Sequence, residues 1–161
     1  MLVRYLARTD FRIVHISIQR NHLHLLVEAS DRRALARGMQ SFAINAARAI
    51  QRAPGNVFAY RYHATQIKTP SQARNALAYV LNNWRRHRED VRSARTLAAT
   101  LDPYASGLSF AGWTQRARFR VPDGYDPLPV SLPETPLLVF DWQRFGRIDP
   151  YEQPGHAVRS M

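Results

Sequence analysis

The segment Asn21-His22-Leu23-His24-Leu25-Leu26-Val27-Glu28 constrains this chain more than any other. Its alternation is that of a β-strand, so His22, His24 and Glu28 face one way and Leu23, Leu25 and Val27 the other. Such a strand needs a core beneath its leucines. It also leaves two imidazoles on one side, about 6–7 Å apart along the strand. A pair so placed can grip one divalent metal. The plainer alternative is a pair packed under a loop and bonded to backbone, and a metal site needs a third ligand in either case.

Around this segment the pattern predicts an α+β chain. Phe11–Gln19 reads as a strand with Ile13, Val14, Ile16 and Ile18 as its β-branched members. It is either the antiparallel neighbour of the histidine strand, with Gln19-Arg20-Asn21 as the only room for a turn, or one long strand with a bulge. His15 alternates with Ile13 and Ser17. Ser30 or Asp31 can cap a helix to about Arg52, with Leu35, Met39, Phe42, Ala43, Ala46 and Ile50 at helical spacing. Pro54-Gly55-Asn56 breaks it, and Val57–Ile67 reads as a strand carrying Phe58, Tyr60 and Tyr62. Thr69-Pro70-Ser71-Gln72 opens a second helix through a capping box with proline at the first helical position. Its stripe is Ala73, Leu77, Val80, Leu81 and Trp84, and its end falls near Arg95. Met1–Arg8 looks like the end of a helix, and Thr135–Arg147 like a short closing one.

Charge divides the chain. Residues 1–95 hold 17 Arg+Lys against 5 Asp+Glu, and residues 96–161 hold 6 against 7, with 8 of the 10 prolines. The expected organisation is a basic domain over 1–95 and a charge-neutral, proline-rich extension over 96–161. Lys68 is the only lysine, and arginine's planar fork suits phosphate and bases. The basic part therefore predicts a nucleic-acid partner with salt-dependent affinity. The absence of cysteine excludes disulfides and thiolate metal sites. No apolar run is long enough to span a bilayer, so the expectation is a cytoplasmic protein without a membrane partner.

Tyr79 and Asn83 supply what the histidines lack. Four residues apart, they are neighbours on one helix face. Asn83 offers a hard carbonyl ligand for Mg²⁺ or Mn²⁺, and Tyr79 a phenolic nucleophile for a phosphate. A phenol is a weak nucleophile at neutral pH and needs a base or a metal's field to attack. His15 and His63 rank lower as extra ligands, and Glu28 as a group that could orient an imidazole. Arg85-Arg86-His87-Arg88 is either a DNA-backbone contact or a solvated helix end. Tyr60 and Tyr62 beside Arg61 could stack splayed bases, or simply pack as strand aromatics.

The order of these motifs, Asn21–Glu28, then Arg61-Tyr62-His63, then Ala78-Tyr79-Val80-Leu81-Asn82-Asn83, resembles the IS200-like single-tyrosine (HUH) transposases over about residues 10–90, most closely their REP-associated branch. Trp84 stands where that branch usually has proline. The resemblance implies an antiparallel sheet with helices on one face, in the HUH, ferredoxin-like arrangement. It implies His22, His24 and Asn83 as metal ligands, Tyr79 as nucleophile, and single-stranded DNA with a hairpin as substrate. The family's first strand precedes the point where this chain starts. Its loss would expose a sheet edge, to be repaired by another segment or by a second subunit in a homodimer. Three functions follow as expectations: a metal-dependent single-strand endonuclease and strand transferase working through a 5′-phosphotyrosine, an inactive DNA-binding remnant, or a metal-dependent hydrolase using water.

Overall fold

The computed structural model describes residues 8–50, 57–58, 62–114 and 119–155. The helical end expected over Met1–Arg8 lies outside them but for its last residue. Strands β1 (Phe11–Ile18) and β2 (Leu23–Ala29) pair antiparallel, and the Gln19 amide donates to the His22 carbonyl across the turn. His22 therefore sits in the turn, just ahead of the strand, while His24 lies within it.

The register slips between Ile13 and His15, leaving Val14 as the extra residue of a bulge. Ile13 and Ile16, three apart, enter the same apolar cluster, which a two-residue period allows only if one residue is inserted. The bulge separates His15 from Ile13, against the simple alternation. After it, His15 pairs with Leu26 and Ser17 with His24.

Helix α1 (Arg32–Ile50) is capped by Asp31, whose carboxylate accepts from the Ala34 amide at 2.8 Å. It buries Ala34, Phe42 and Ala46, and Phe42 and Ala46 share a cluster with Phe11, Ile13, Ile16, Leu23, Leu25 and Val27. Helix α2 (Pro70–Arg86) opens with the expected capping box of Thr69 and Gln72. Its Ala73, Leu77, Ala78, Val80 and Leu81 pack with Val14 and Leu26. The two helices thus cover opposite faces of the sheet, not one. The cause is that β2 is apolar on both sides, with Leu26 facing away from Leu25 and Val27, so each side needs a cover.

Three further expectations are corrected. Residues 57–58 and 62–67 form no strand. Tyr62 through Gln66 are exposed, and only Phe58 and Ile67 pack against apolar clusters, so the described part offers no continuous face to bury. Helix α2 ends before Arg95 because Arg88 takes a left-handed conformation with φ 55°, and the chain restarts in α3 (Ala94–Ala98) under a Ser93/Thr96 capping box. The closing helix is split into α4 (Pro136–Val139) and a 3₁₀ turn over Asp141–Phe145.

Residues beyond Thr96 complete the α2 side of the core through Leu101, Phe110, Trp113, Leu138, Trp142 and Ile148. They also repair the outer edge of β1. The Ile18 amide donates to the Tyr104 carbonyl, Ser106 exchanges bonds with both Ile16 backbone groups, and the Ser131 amide donates to the Ile13 carbonyl. Edge groups that would otherwise be unpaired are met by the chain's own extension.

Gly38 marks the closest approach of α1 to the sheet. A Cβ there would stand 2.2 Å from Cγ of the fully buried Phe11. Gly38→Val should destabilise the fold by about 1–3 kcal/mol through overpacking, read as a lower denaturant midpoint with an unchanged slope.

Candidate metal and nucleophile site

At the open end of the hairpin the two imidazoles converge. His22 Nε2 and His24 Nε2 lie 2.9 Å apart, with ring centroids at 4.6 Å. The Asn21 side-chain oxygen accepts from His22 Nδ1 at 2.7 Å, which leaves the lone pair of His22 on Nε2, pointing at His24. Burial, then the neighbouring His22 and His87, push the pKa of His24 down to about 4. His24 is thus neutral at physiological pH, the state in which an imidazole binds metal.

Helix α2 crosses this pair. Tyr79 packs edge-on against His24 at 4.9 Å between centroids, and His87, the C-cap, stands edge-on to His22 at 6.1 Å. Asn83 lies midway between them on the same helical stripe, about 6 Å from each along the axis. Its side chain is fully buried, and neither its amide oxygen nor its amide nitrogen has a hydrogen-bond partner. An unpaired buried amide costs about 1–3 kcal/mol, and a cation held by its oxygen would remove much of that cost.

The residues fit a divalent cation on two counts. A 2.9 Å separation of the Nε2 atoms is close to the ~3.0 Å edge made by two ligands at right angles, each about 2.1 Å from a metal. The orphaned Asn83 oxygen supplies the hard third donor that the histidines lack. Among the described residues no three His, Cys, Asp or Glu side chains already converge on one point, and an amide oxygen lies outside that set of donors.

The remaining candidates fall elsewhere. His15 is buried, bonded through Nδ1 to Ser106 Oγ at 3.0 Å, and held by desolvation at a pKa of about 4. It belongs to the β1–extension contact. Glu28 accepts from the Glu134 and Thr135 amides and orients no imidazole. His63 and Tyr62 are exposed. Tyr60 and Arg61 lie outside the described residues.

Arg85 does not reach out to a ligand. It donates to the Pro150 and Thr100 carbonyls, pairs with Asp90, and stacks on Trp84 and Tyr151. Arg86 lies over the Tyr79 ring at 5.9 Å and donates to the Gly155 carbonyl.

Two features escaped sequence reasoning. His87 was legible only as part of a basic run, although it follows Asn83 by one helical turn. Asp102 had no local signal at all. It is buried near Ser17, the cross-strand partner of His24, with Oδ1 accepting from the Tyr104 amide and Oδ2 unpaired, beside an unpaired Gln19 oxygen.

No protein-family model, curated protein or solved structure matches this chain. Among the described residues no helix is long and apolar enough to cross a membrane.

Burial raises the pKa of Asp102 from 3.8 to about 7. The native state then binds this proton more tightly than the unfolded chain, so its contribution to stability is full below pH ~4 and lost as pH rises through 7. Asp102→Asn keeps the shape and the acceptor for Tyr104. It should unfold at higher denaturant than the parent at pH 8, with the difference vanishing toward pH 4. His15 and His24 lose stability in the opposite direction, as pH falls from about 6.5 toward 4, but equally in both proteins.

Proposed function

We propose that this protein is a metal-dependent single-strand DNA endonuclease and strand transferase of the IS200-like, HUH type, most similar to the REP-associated branch. One observation carries the reading. Tyr79 and Asn83 lie along one stripe of α2 against the His22/His24 pair, and the Asn83 amide is buried without a partner. The sequence order of these residues and the basic charge of residues 1–95 support it. The cofactor is Mg²⁺ or Mn²⁺, held by His22, His24 and Asn83. When bound, it would polarise the scissile phosphate and offset the charge that develops there.

The chain's own residues set the remaining chemistry. Asn21 holds His22 in the tautomer whose Nε2 can ligate. The low pKa of His24 keeps it unprotonated beside a second imidazole. Packing against His24 fixes the Tyr79 ring, and the Arg86 guanidinium over that ring adds positive charge where a phosphate would dock. The Tyr79 oxygen bonds to phosphorus as the bond from phosphorus to the 3′ oxygen breaks. The phenolic proton is balanced at the departing 3′ oxygen. The products are a 5′-phosphotyrosine and a free 3′-hydroxyl, and attack by another 3′-hydroxyl reverses the step and joins new strands.

The partner is single-stranded DNA bearing a hairpin, as the resemblance implies. Incubation of labelled DNA of that kind with the protein and Mn²⁺ should give an adduct that survives denaturation. Tyr79→Phe should abolish it, and Asn21→Ala should slow its formation about 10–100-fold. Cleavage without an adduct, unaffected by Tyr79→Phe, would mean that water attacks. Salt-sensitive binding with no cleavage would identify a DNA-binding remnant.

A further inference from the structure

His87 is the one histidine near the pair that the mechanism above leaves unused. It lies four residues beyond Asn83, its amide still bonded to the Asn83 carbonyl at 3.2 Å. It continues the Tyr79–Asn83 stripe by one turn. Its ring meets His22 edge-on at 6.1 Å, against 4.6 Å for the His22–His24 pair, so it stands 1.5 Å farther off. It is exposed, and no hydrogen bond ties its side chain among the described residues. As the helix C-cap, with φ −91° and ψ 7°, it is positioned by the backbone while its ring stays free to turn. Side-chain rotation of a terminal residue easily covers 1.5 Å.

We propose that His87 is a third imidazole ligand of the His22/His24/Asn83 centre and closes on a cation when one binds. This rests on the metal-site reading above and changes its chemistry. A set of three imidazoles and one amide oxygen is a borderline-soft environment. It favours Co²⁺, Zn²⁺ and Mn²⁺ over Mg²⁺, which prefers carboxylate, carbonyl and water oxygens. The geometry also explains why a histidine should occupy the end of α2. At a helix C-terminus a cationic histidine would be favoured by the dipole alone, but that role does not require the ring to face His22.

The two roles separate by experiment with metal alone and no DNA. Titration of the full chain with Co²⁺, followed by visible absorption and calorimetry, should show one site that millimolar Mg²⁺ does not displace. His22→Ala should abolish it. His87→Ala should weaken it at least tenfold and alter the absorption band, because one nitrogen donor is replaced by water. His87→Gln, which keeps side-chain size and hydrogen bonding, should show the same loss. The unfolding midpoint of the metal-free protein should be the same for the parent and both His87 variants. Wild-type Co²⁺ affinity and spectrum in His87→Ala would overturn the role of His87 and leave the site itself standing. Failure of the parent to bind Co²⁺ at all would overturn both.

Discussion

Pairing Ile13 with Val27 and Ser17 with His24 decides which side of a two-stranded sheet every later group occupies. A slip of one residue would turn Leu23, Leu25 and Val27 toward α2 and bury the histidines against α1. The bulge at Val14 makes this register compatible with the spacing of β1, since it lets Phe11, Ile13 and Ile16 share one cluster while Val14 turns to the other. The sheet is thereby held from both faces. Its polar end, with His22 and His24, is left at the hairpin turn, where water and a ligand can reach it.

The site is assembled from one turn and one helix. Helix α2 carries Tyr79, Asn83 and His87 at intervals of four, and its apolar side is anchored by Leu77, Leu81 and the fully buried Trp84. That anchoring is stiff, so a buried polar residue in the stripe cannot swing out to find a partner. Asn83 therefore keeps an unsatisfied amide beneath the histidines. Local cost of this kind is commonly concentrated where a ligand binds.

The extension after Thr96 is structural as well as peripheral. It supplies aromatic mass to the α2 core, pairs the outer edge of β1, and draws Arg74 and Arg85 into contacts with Glu152, Pro150 and Tyr151. Part of the basic charge that sequence alone would assign to DNA is spent on holding this segment. Arg85 illustrates the point. Its neighbours in sequence are basic, but its neighbours in space are carbonyls, a carboxylate and two aromatic rings.

The sequence by itself determined the local signals: the two strands, the capped starts of both long helices, and the spacing of His22, His24, Tyr79 and Asn83. Alternation, capping and helical periodicity are properties of neighbours within a few residues, so they can be read without a fold. Tertiary structure decided the rest. It placed the helices on opposite faces and inserted the bulge that parts His15 from Ile13. It left residues 62–67 unpaired because they have no continuous apolar face, and it ended α2 at a left-handed Arg88. It also brought His87 to His22, and Asp102 close to the cross-strand partner of His24. Those groups lie 65 and 78 residues from the histidines they approach, by their numbering. Only packing of the whole core sets such separations, because the energy that fixes them comes from burial shared among many distant side chains.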